Sequence, residues 1–328
     1  MSTTTFPIPA PAAQSAPSVF DRLREWVVTV DHKRLGIMYI VFSLGFLVIG
    51  GIEATLIRLQ LAVADSHLIS AHTFNTLFTM HGTTMVFLVG MPILAGFANY
   101  LVPLQIGARD VAFPRLNAFA FWATCFGGLL LNSSFLTAPA LFGGGGAPDV
   151  GWFGYAPLTE PAYSRGTATD YWVIGLTIVG FGSIAGAVNI ATTILTIRTK
   201  GMTLGRMPLF TWITLVVQCM ILIAVSPLTA ALILLFLDRG LGAHIFDTQA
   251  GGSAVLWQHV FWIFGHPEVY VLMLPGFGFL SEIIPVFSRK VIFGYPVMVA
   301  ATVAIGFISV SVWAHHMFAI GMSPAANT

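Results

Sequence analysis

The sequence predicts an all-α, polytopic bundle of transmembrane helices, and three observations carry that prediction. Charged residues make up only 8% of the 328 residues, against roughly 25% in an ordinary soluble domain, while hydrophobic residues make up 56%. Seven apolar runs are long enough to cross a hydrocarbon core of about 30 Å. None shows the alternation of a barrel strand, so the runs are helices. A soluble enzyme, a disordered chain and a nucleic-acid-binding protein are excluded, because the charged residues that they need are missing.

The elements follow in order from the N-terminus. Residues 1–19 are rich in Ser, Thr, Pro and Ala and are expected to form a flexible tail. The amphipathic stretch Phe20–Thr29 is expected to lie at the membrane surface. Pro92, Pro227 and Pro275 interrupt apolar runs and are expected to kink them. The seven runs are Ile37–Leu59, Ser70–Leu101, Ala118–Leu136, Tyr171–Ile197, Phe210–Leu237, Val255–Ile284 and Ile292–Ile320.

The connections between the runs divide the basic residues unequally. The side of the N-terminus holds eleven and the other side holds three, so the positive-inside rule predicts a cytoplasmic N-terminus. The longest connection, Thr137–Asp170, is predicted to be a surface loop. The eleven are Arg22, Arg24, Lys33, Arg34, Arg109, Arg115, Arg198, Lys200, Arg206, Arg289 and Lys290, and the three are Arg58, Arg165 and Arg239.

Three histidines in the sixth and seventh runs form a candidate metal site. His266 is followed four residues later by Tyr270 on the same helix face, while His315 and His316 are adjacent near the end of the seventh run. The two helices are antiparallel, so these histidines are expected within roughly 10 Å of one depth. Three converging imidazoles suit copper, zinc or iron. The alternative is that each is hydrogen-bonded to backbone or solvent.

The other histidines give weaker signals. His81 precedes Gly82, which leaves room for a bulky planar group against the helix, so His81 is either a haem ligand or an ordinary polar residue. The remaining histidines lie near the ends of runs and are predicted to be interfacial. They are His32, His67, His72, His244 and His259.

Acids and amides offer a route for protons from the N-terminal side. Glu268 lies near the middle of the membrane, and Asp110 lies in a connection on the N-terminal side. Amides between them can hold a chain of water molecules without becoming charged. The alternative is that the amides cap helices and that Asp110 pairs with Arg109. The amides are Asn99, Asn117 and Asn189.

Four motifs together resemble subunit I of the haem–copper oxidases, in particular the cytochrome c oxidases. They are Trp262-Ile-Phe-Gly-His-Pro-Glu-Val-Tyr270, Trp313-Ala-His-His-Met317, Asn99-Tyr-Leu-Val-Pro-Leu-Gln-Ile-Gly-Ala-Arg-Asp110 and Asp31-His-Lys-Arg34. The resemblance runs from about Trp26 to the end of the sequence. It implies a transmembrane domain over residues 20–328, with seven of the family's roughly twelve helices present and the C-terminal part missing.

The resemblance also implies roles. His266, His315 and His316 would bind copper, and Tyr270 would be cross-linked to His266 and supply an electron and a proton. His81 would be an axial ligand of a low-spin haem whose formyl group Arg58 contacts. A proton channel would begin at Asp110, Asn99, Asn117 and Asn189 and end at Glu268. The implied cofactors are copper and two haems of the a type, one low-spin and one high-spin. The remaining haem ligands lie in the missing part.

The implied function is the reduction of O2 to water with electrons from cytochrome c, coupled to proton pumping, in the inner membrane of a bacterium. Subunits II and III and membrane lipid are the implied partners. Nitric oxide reductases lack the motif that carries Tyr270, which favours oxygen as substrate. A quinol oxidase is the alternative. Quinol oxidases of this kind carry Arg, His and Gln in a pocket on the first two helices, and the matching positions here are Ile49, Thr73 and Thr76, which favours cytochrome c. Glu53, however, matches an acidic residue of that pocket. A transporter of protons or metal ions is an alternative from another class.

Overall fold

The computed structural model describes residues 18–141, 146–320 and 322. The described part is a helical bundle that contains no β-strand. The helices are α1 (Val19–Val27), α2 (His32–Gln60), α3 (Ala71–Thr83), α4 (Met91–Gln105), α5 (Pro114–Leu141), α6 (Ala168–Thr196), α7 (Leu209–Leu241), α8 (Ala254–Ser288) and α9 (Tyr295–Ser309). A π-helical segment, Thr84–Gly90, joins α3 and α4 into one rod.

Six helices of the described part are long and apolar enough to cross a membrane: α2, the α3–α4 rod, α5, α6, α7 and α8. Helix α9 is shorter, at 15 residues. The predicted all-α transmembrane bundle is therefore confirmed, and the chain is a multi-pass membrane protein. Pro227 and Pro275 lie inside α7 and α8, which continue through them, and Pro92 follows the π-helical segment. The predicted kinks at these prolines stay a prediction.

Polar side chains set the beginnings of several helices. Asp31 accepts hydrogen bonds from two amides in the first turn of α2, and Ser70 and Ser253 cap α3 and α8 in the same way. Ser18 and Asp21 form a reciprocal capping box on α1. The first helix therefore begins one residue inside the predicted tail, of which residues 1–17 lie outside the described part.

Successive long helices alternate in direction, and the tightest contacts join neighbours in the chain. Helices α5 and α6 meet at two glycines, because a Cβ on Gly127 would stand 2.7 Å from the carbonyl oxygen of Gly175. We call the end of the bundle at which α2 begins the basic end, since the eleven basic residues lie there, and the opposite end the acidic end. The largest buried cluster includes Trp172, Trp257 and Phe261, towards the acidic end.

The seventh apolar run was predicted to be one helix that continues to Ile320, and the structure differs. Helix α9 ends at Ser309, and a 3₁₀ segment, Val312–His316, follows it. The hydroxyls of Ser309 and Ser311 donate to the carbonyls of Gly306 and Ile308. These local bonds compete with the regular helical ladder and favour the tighter turn.

The connection 146–167 was predicted to be part of a surface loop, and here too the structure differs. Ala147, Ala156 and Glu160 are buried in it, and its backbone is bonded to the helices beneath. The Gly151 amide donates to Thr79 Oγ1 over 2.9 Å, for example. This connection, which we call the acidic-end cover, therefore forms part of the core at the acidic end.

Candidate metal centre and proton-conducting residues

Helix α8 presents His266 through an irregular stretch of sequence. Gly265 lets the Trp262 indole fold against the backbone, because a Cβ there would stand 2.6 Å from the ring. Pro267 removes a backbone donor one residue beyond His266. The side chain of His266 is half-buried, and its Nε2 has no hydrogen-bond partner in the described part of the chain.

The three predicted histidines come together as the spacing predicted. Nδ1 of His266 lies 3.2 Å from Nε2 of His315, and the ring centroids are 4.5 Å apart. The His316 centroid lies 4.1 Å from that of His315 and 6.0 Å from that of His266. One nitrogen from each ring falls within 4.8 Å of the others. Both His315 and His316 lie on the 3₁₀ segment that follows α9.

This arrangement fits a metal ion. Ligand nitrogens at about 2 Å from a metal, in a tetrahedral arrangement, stand about 3.3 Å apart, close to the 3.2 Å between His266 and His315. Imidazole nitrogens suit copper, zinc and iron alike. The same 3.2 Å also suits a hydrogen bond from an N–H of one ring to the lone pair of the other, so the convergence of all three rings is what marks the site.

Aromatic neighbours that the sequence did not single out fix the positions of these rings. Trp262 stacks on His316 with centroids 3.6 Å apart and planes 4° apart, and its indole N–H donates to the Tyr155 hydroxyl. Trp313 Nε1 donates to His259 Nδ1 over 3.3 Å and holds the 3₁₀ segment against α8. The four-residue spacing of Trp262 from His266 was visible in the sequence, but nothing pointed to Tyr155.

Tyr270 lies beside His266, one turn further along α8. The ring centroids are 4.9 Å apart with the planes at 61°. The phenol is half-buried. The predicted shared face is therefore confirmed, and the phenol ring of Tyr270 stands next to the His266 imidazole.

His81 lies on α3, away from this cluster. Its Nδ1 is 2.9 Å from the carbonyl oxygen of Gly50, which acts as acceptor if that nitrogen carries the proton. The lone pair is then on Nε2, as a metal ligand requires. The space beside Gly82 is filled by Trp152, since a Cβ there would stand 2.8 Å from the indole; the planar neighbour expected at Gly82 is thus a side chain. Arg58 is exposed.

Glu268 is buried at 2% exposure, and neither carboxyl oxygen has a partner in the described part of the chain. It shares a face of α8 with Val271 and Pro275, at spacings of three and seven residues. Both of these line an internal cavity of about 60 Å³, which Asn99 also lines. A water molecule needs roughly 10–15 Å³ on this measure, so the cavity has room for several.

The three predicted amides are buried but differ in their contacts. Asn117 has no partner for either amide atom, and Asn99 has none for Oδ1. Asn189 Oδ1 accepts from the Phe113 amide over 2.8 Å, so one of its atoms has the capping role weighed as the alternative. Asp110 is half-buried, and its Oδ1 accepts from the Val111 amide. It forms no ion pair with Arg109 in the described structure, so that alternative is not borne out.

His32 is the exception among the histidines that were predicted to be interfacial. It is 1% exposed, and its Nδ1 is 2.8 Å from the Asn99 carbonyl oxygen. The capped start of α2 packs directly against α4, and this removes His32 from the surface. His67, His72 and His244 are exposed, and His259 is half-buried.

Comparison with known proteins assigns this architecture to a family. A probable cytochrome c oxidase subunit 1-alpha of Streptomyces coelicolor is 52% identical over 297 residues, which are 90% of this chain and 50% of the relative. A cytochrome c oxidase subunit 1 of Corynebacterium efficiens is 53% identical over 300 residues, or 91% and 50%. One of Bacillus subtilis is 50% identical over 305 residues, or 93% and 48%. The chain thus spans about half the length of these relatives.

The family match extends over nearly all of the chain, from the third residue after the cap of α2 through both histidine-bearing segments. It covers residues 34–328 and is to the family described as cytochrome c and quinol oxidase polypeptide I. Haem and copper are the cofactors that this family implies, and the donor set of His266, His315 and His316 fits the copper. The chain belongs to the cytochrome c and quinol oxidase polypeptide I family, the subunit I of haem–copper oxidases.

Proposed function

We propose that this chain contributes the copper site of a terminal respiratory oxidase that reduces O2 to water with electrons from cytochrome c and pumps protons. The observation that carries the proposal is the cluster of His266, His315 and His316 with Tyr270 beside it. The names of the relatives, cytochrome c oxidase subunit 1, support it. Subunits II and III and the inner membrane of a bacterium complete the proposed setting, with the N-terminus in the cytoplasm.

In this proposal the three imidazoles would hold copper, and Tyr270, cross-linked to His266, would supply a proton and an electron to O2. His81 would hold a low-spin haem through Nε2, and Arg58 would contact its formyl group. When bound, haem of the a type and copper would pass on the electrons from cytochrome c and provide the oxygen-binding site. The protein contributes the fixed ring positions: Trp262 stacks on His316, so the ring cannot turn away from its neighbours.

Proton supply is the second part of the proposal. Asp110 collects protons at the basic end, and Asn99, Asn117 and Asn189 hold water between it and Glu268. The cavity that Asn99 lines supports this route, because it reaches the face of α8 on which Glu268 lies. The unpartnered carboxyl of Glu268 supports it as well, since a buried acid without protein partners requires water or a proton.

The choice of electron donor rests on the first two spanning helices. Thr76 Oγ1 donates to the Ala147 carbonyl, so this hydroxyl is directed into the fold, whereas Thr73 is exposed with its Oγ1 2.9 Å from Ser70 Oγ. Neither residue, nor Ile49, offers a charged group to a quinol. One observation favours the alternative of a quinol oxidase: Glu53 is buried at 4% exposure, and its carboxyl has no partner in the described part of the chain. Oxygen uptake with reduced cytochrome c or with a quinol separates the two donors.

The test of the main proposal is made on the complete oxidase. Replacing His266, His315 or His316 by Ala is expected to remove copper and abolish oxygen uptake, because two imidazoles cannot retain the ion. The haem absorption bands are expected to remain, which shows that the protein has folded. His244→Ala, at an exposed histidine of the acidic end, is the matched control. Normal copper content and oxygen uptake in all three cluster variants would overturn the assignment.

A further inference from the structure

A pocket of about 540 Å³ lies at the basic end, where the start of α7, the end of α8 and the start of α9 meet. Arg289, Lys290 and Tyr295 line it together with apolar side chains of α7, of α8 and of the connection that leads to α9. It is remote from the histidine cluster, which lies towards the acidic end. The proposed oxidase chemistry uses none of these residues.

The pocket carries unpaired positive charge. Arg289 and Lys290 are exposed, and neither forms an ion pair with any residue in the described ranges. The one acid in the pocket is Glu282, whose Oε1 accepts from the Phe210 amide over 3.2 Å. Its charge is therefore directed at the start of α7, where the helix dipole favours it. The free charges of the pocket can pair with an anion.

Arg289 lies at the C-cap of α8, a position where helices usually have glycine. It caps the end of α8 with φ 54° and ψ 39°, in the left-handed region. Glycine is the usual residue there, because side chains with a Cβ are strained in that conformation. An arginine at this position indicates that its side chain has a use of its own.

The chain around the two basic residues is apolar and faces outward. Phe287, Val291 and Phe293 are 85%, 95% and 94% exposed. A basic pair among exposed apolar side chains is typical of segments at the boundary between lipid headgroups and acyl chains. Basic pockets between transmembrane helices bind the headgroups of anionic lipids.

A separate apolar groove of about 640 Å³ lies further along α7 and α9 and shares no lining residue with the pocket. Its lining includes Trp212, Cys219 and Ile223 of α7 and Val303 and Phe307 of α9. On α7 these residues extend the helical stripe that starts at Leu209, a residue of the pocket. Trp212 to Ile223 covers about 16 Å, the length of a substantial part of an acyl chain.

We propose that this basic pocket and groove bind one anionic phospholipid, with the phosphate between Arg289 and Lys290 and an acyl chain along α7 and α9. Charge complementarity identifies the headgroup, and the apolar groove requires an attached chain rather than free phosphate. This site lies beyond the proposed oxidase function and does not depend on it.

The test uses the complete oxidase in detergent, stripped of lipid and then titrated with phosphatidylglycerol or with phosphatidylcholine of the same chains. Native mass spectrometry counts the bound lipids. We expect Arg289→Gly with Lys290→Gln to weaken phosphatidylglycerol binding by about tenfold to thirtyfold, since each basic residue adds to the attraction of an anionic headgroup. Phosphatidylcholine binding should change little. Arg289→Gly also relieves the strained cap, so an unchanged or raised unfolding temperature shows that lost binding is not lost folding.

Matched variants complete the test. Lys200→Gln with Arg206→Gln removes two basic residues of the same end outside the pocket and should leave binding intact. Cys219→Trp fills the groove and should weaken phosphatidylglycerol binding without removing charge. Equal losses in the Lys200 and Arg206 variant, full binding after the Arg289 and Lys290 changes, full binding after Cys219→Trp, or displacement of the lipid by equimolar inorganic phosphate would each overturn the proposal.

Discussion

The acidic end and the interior of the bundle differ in whether their buried polar side chains have hydrogen-bond partners. Around the histidine cluster, Trp262, Trp257 and Trp313 each donate an indole N–H to a partner. In the interior, Glu268 and Asn117 are buried with no partner for any side-chain oxygen or nitrogen among the described residues. Satisfied networks hold groups in one arrangement, whereas unpaired buried groups are costly unless water joins them. This difference is what the proposed function requires, with one region holding ligands in place and the other leaving room for water beside Glu268.

The largest expected effect comes from a change in the interior of the bundle, at Glu268. Glu268→Gln keeps the size of the side chain but removes its ability to release a proton. Oxygen uptake of the complete oxidase is expected to fall by a factor of about 100 or more, because a positioned proton donor contributes about 10²–10⁴ in rate. Asp110→Asn is expected to act in the same direction more weakly, since solvent can deliver protons near the surface. Unchanged spectra serve as the control for intact cofactors.

A result that separates the two acids would sharpen the proposal. Proton release from sealed vesicles should weaken in both variants, together with turnover. If Glu268→Gln turned over and pumped as the parent protein does, the interior would be a structural feature and not a proton route. Glu25→Gln, at an exposed acid of α1, gives the baseline for removing one carboxyl.

The next effect tests the acidic-end side. Trp262→Leu removes the ring that stacks on His316 and the donor to Tyr155, while the three imidazoles remain. Copper affinity is expected to fall about 10–100-fold, the usual cost of losing a residue that orients metal ligands. Copper retained against a competing chelator measures it. Trp122→Leu is the matched control, because Trp122 also stacks on a neighbouring ring, that of Phe126, on α5. Equal copper loss in both variants would contradict a specific role for Trp262.

The sequence predicted the helices and the convergence of the three histidines for physical reasons that can be named. Long apolar runs can only be spanning helices in lipid, and His266 and Tyr270 must share a face at a spacing of four. The end of α9 could not be predicted, because it depends on the bonds of the Ser309 and Ser311 hydroxyls. The acidic-end cover could not be predicted either, since its residues follow no period and its burial arises from tertiary contacts such as that of Tyr155 with Trp262.

A smaller effect is expected where an unpaired group is replaced by an apolar one. Asn117→Leu removes a fully buried amide that has no hydrogen-bond partner among the described residues. The unfolding temperature should be unchanged or higher, because an apolar side chain leaves no buried polar atom unsatisfied. Turnover is expected to fall severalfold, because water loses a partner on the proton route. Asn132→Leu on the same helix is the control: Asn132 donates to the Gly128 carbonyl, and its loss should lower stability without affecting turnover. A destabilised Asn117→Leu protein would assign Asn117 a structural role.

The smallest effect lies in the acidic-end cover, where one acid departs from the satisfied pattern. Glu160 is 5% exposed, and its Oε1 has no partner among the described residues. Burial raises its pKa to about 7, helped by the charges of Asp238 and Asp247 and opposed by Arg239 and His244. The folded state therefore holds a proton on Glu160 that the unfolded chain, with a carboxyl pKa of about 4.3, releases. The stability from this group is present below about pH 4.3 and is lost as the pH rises towards 7.

The measurement is the unfolding temperature of the detergent-solubilised oxidase between pH 5 and 8, for the parent protein and Glu160→Gln. The parent should lose a few degrees more than the variant over this range, because about 1 kcal/mol shifts the midpoint by about 2–4 °C. Glu160→Gln should match the parent at pH 5 and exceed it at pH 8, since the neutral amide resembles the protonated acid. Glu25→Gln should reproduce the pH dependence of the parent. Parallel curves for the parent and Glu160→Gln would mean that Glu160 is ionised and hydrated across this range, and the acidic end would then contain a wet pocket like that of the interior.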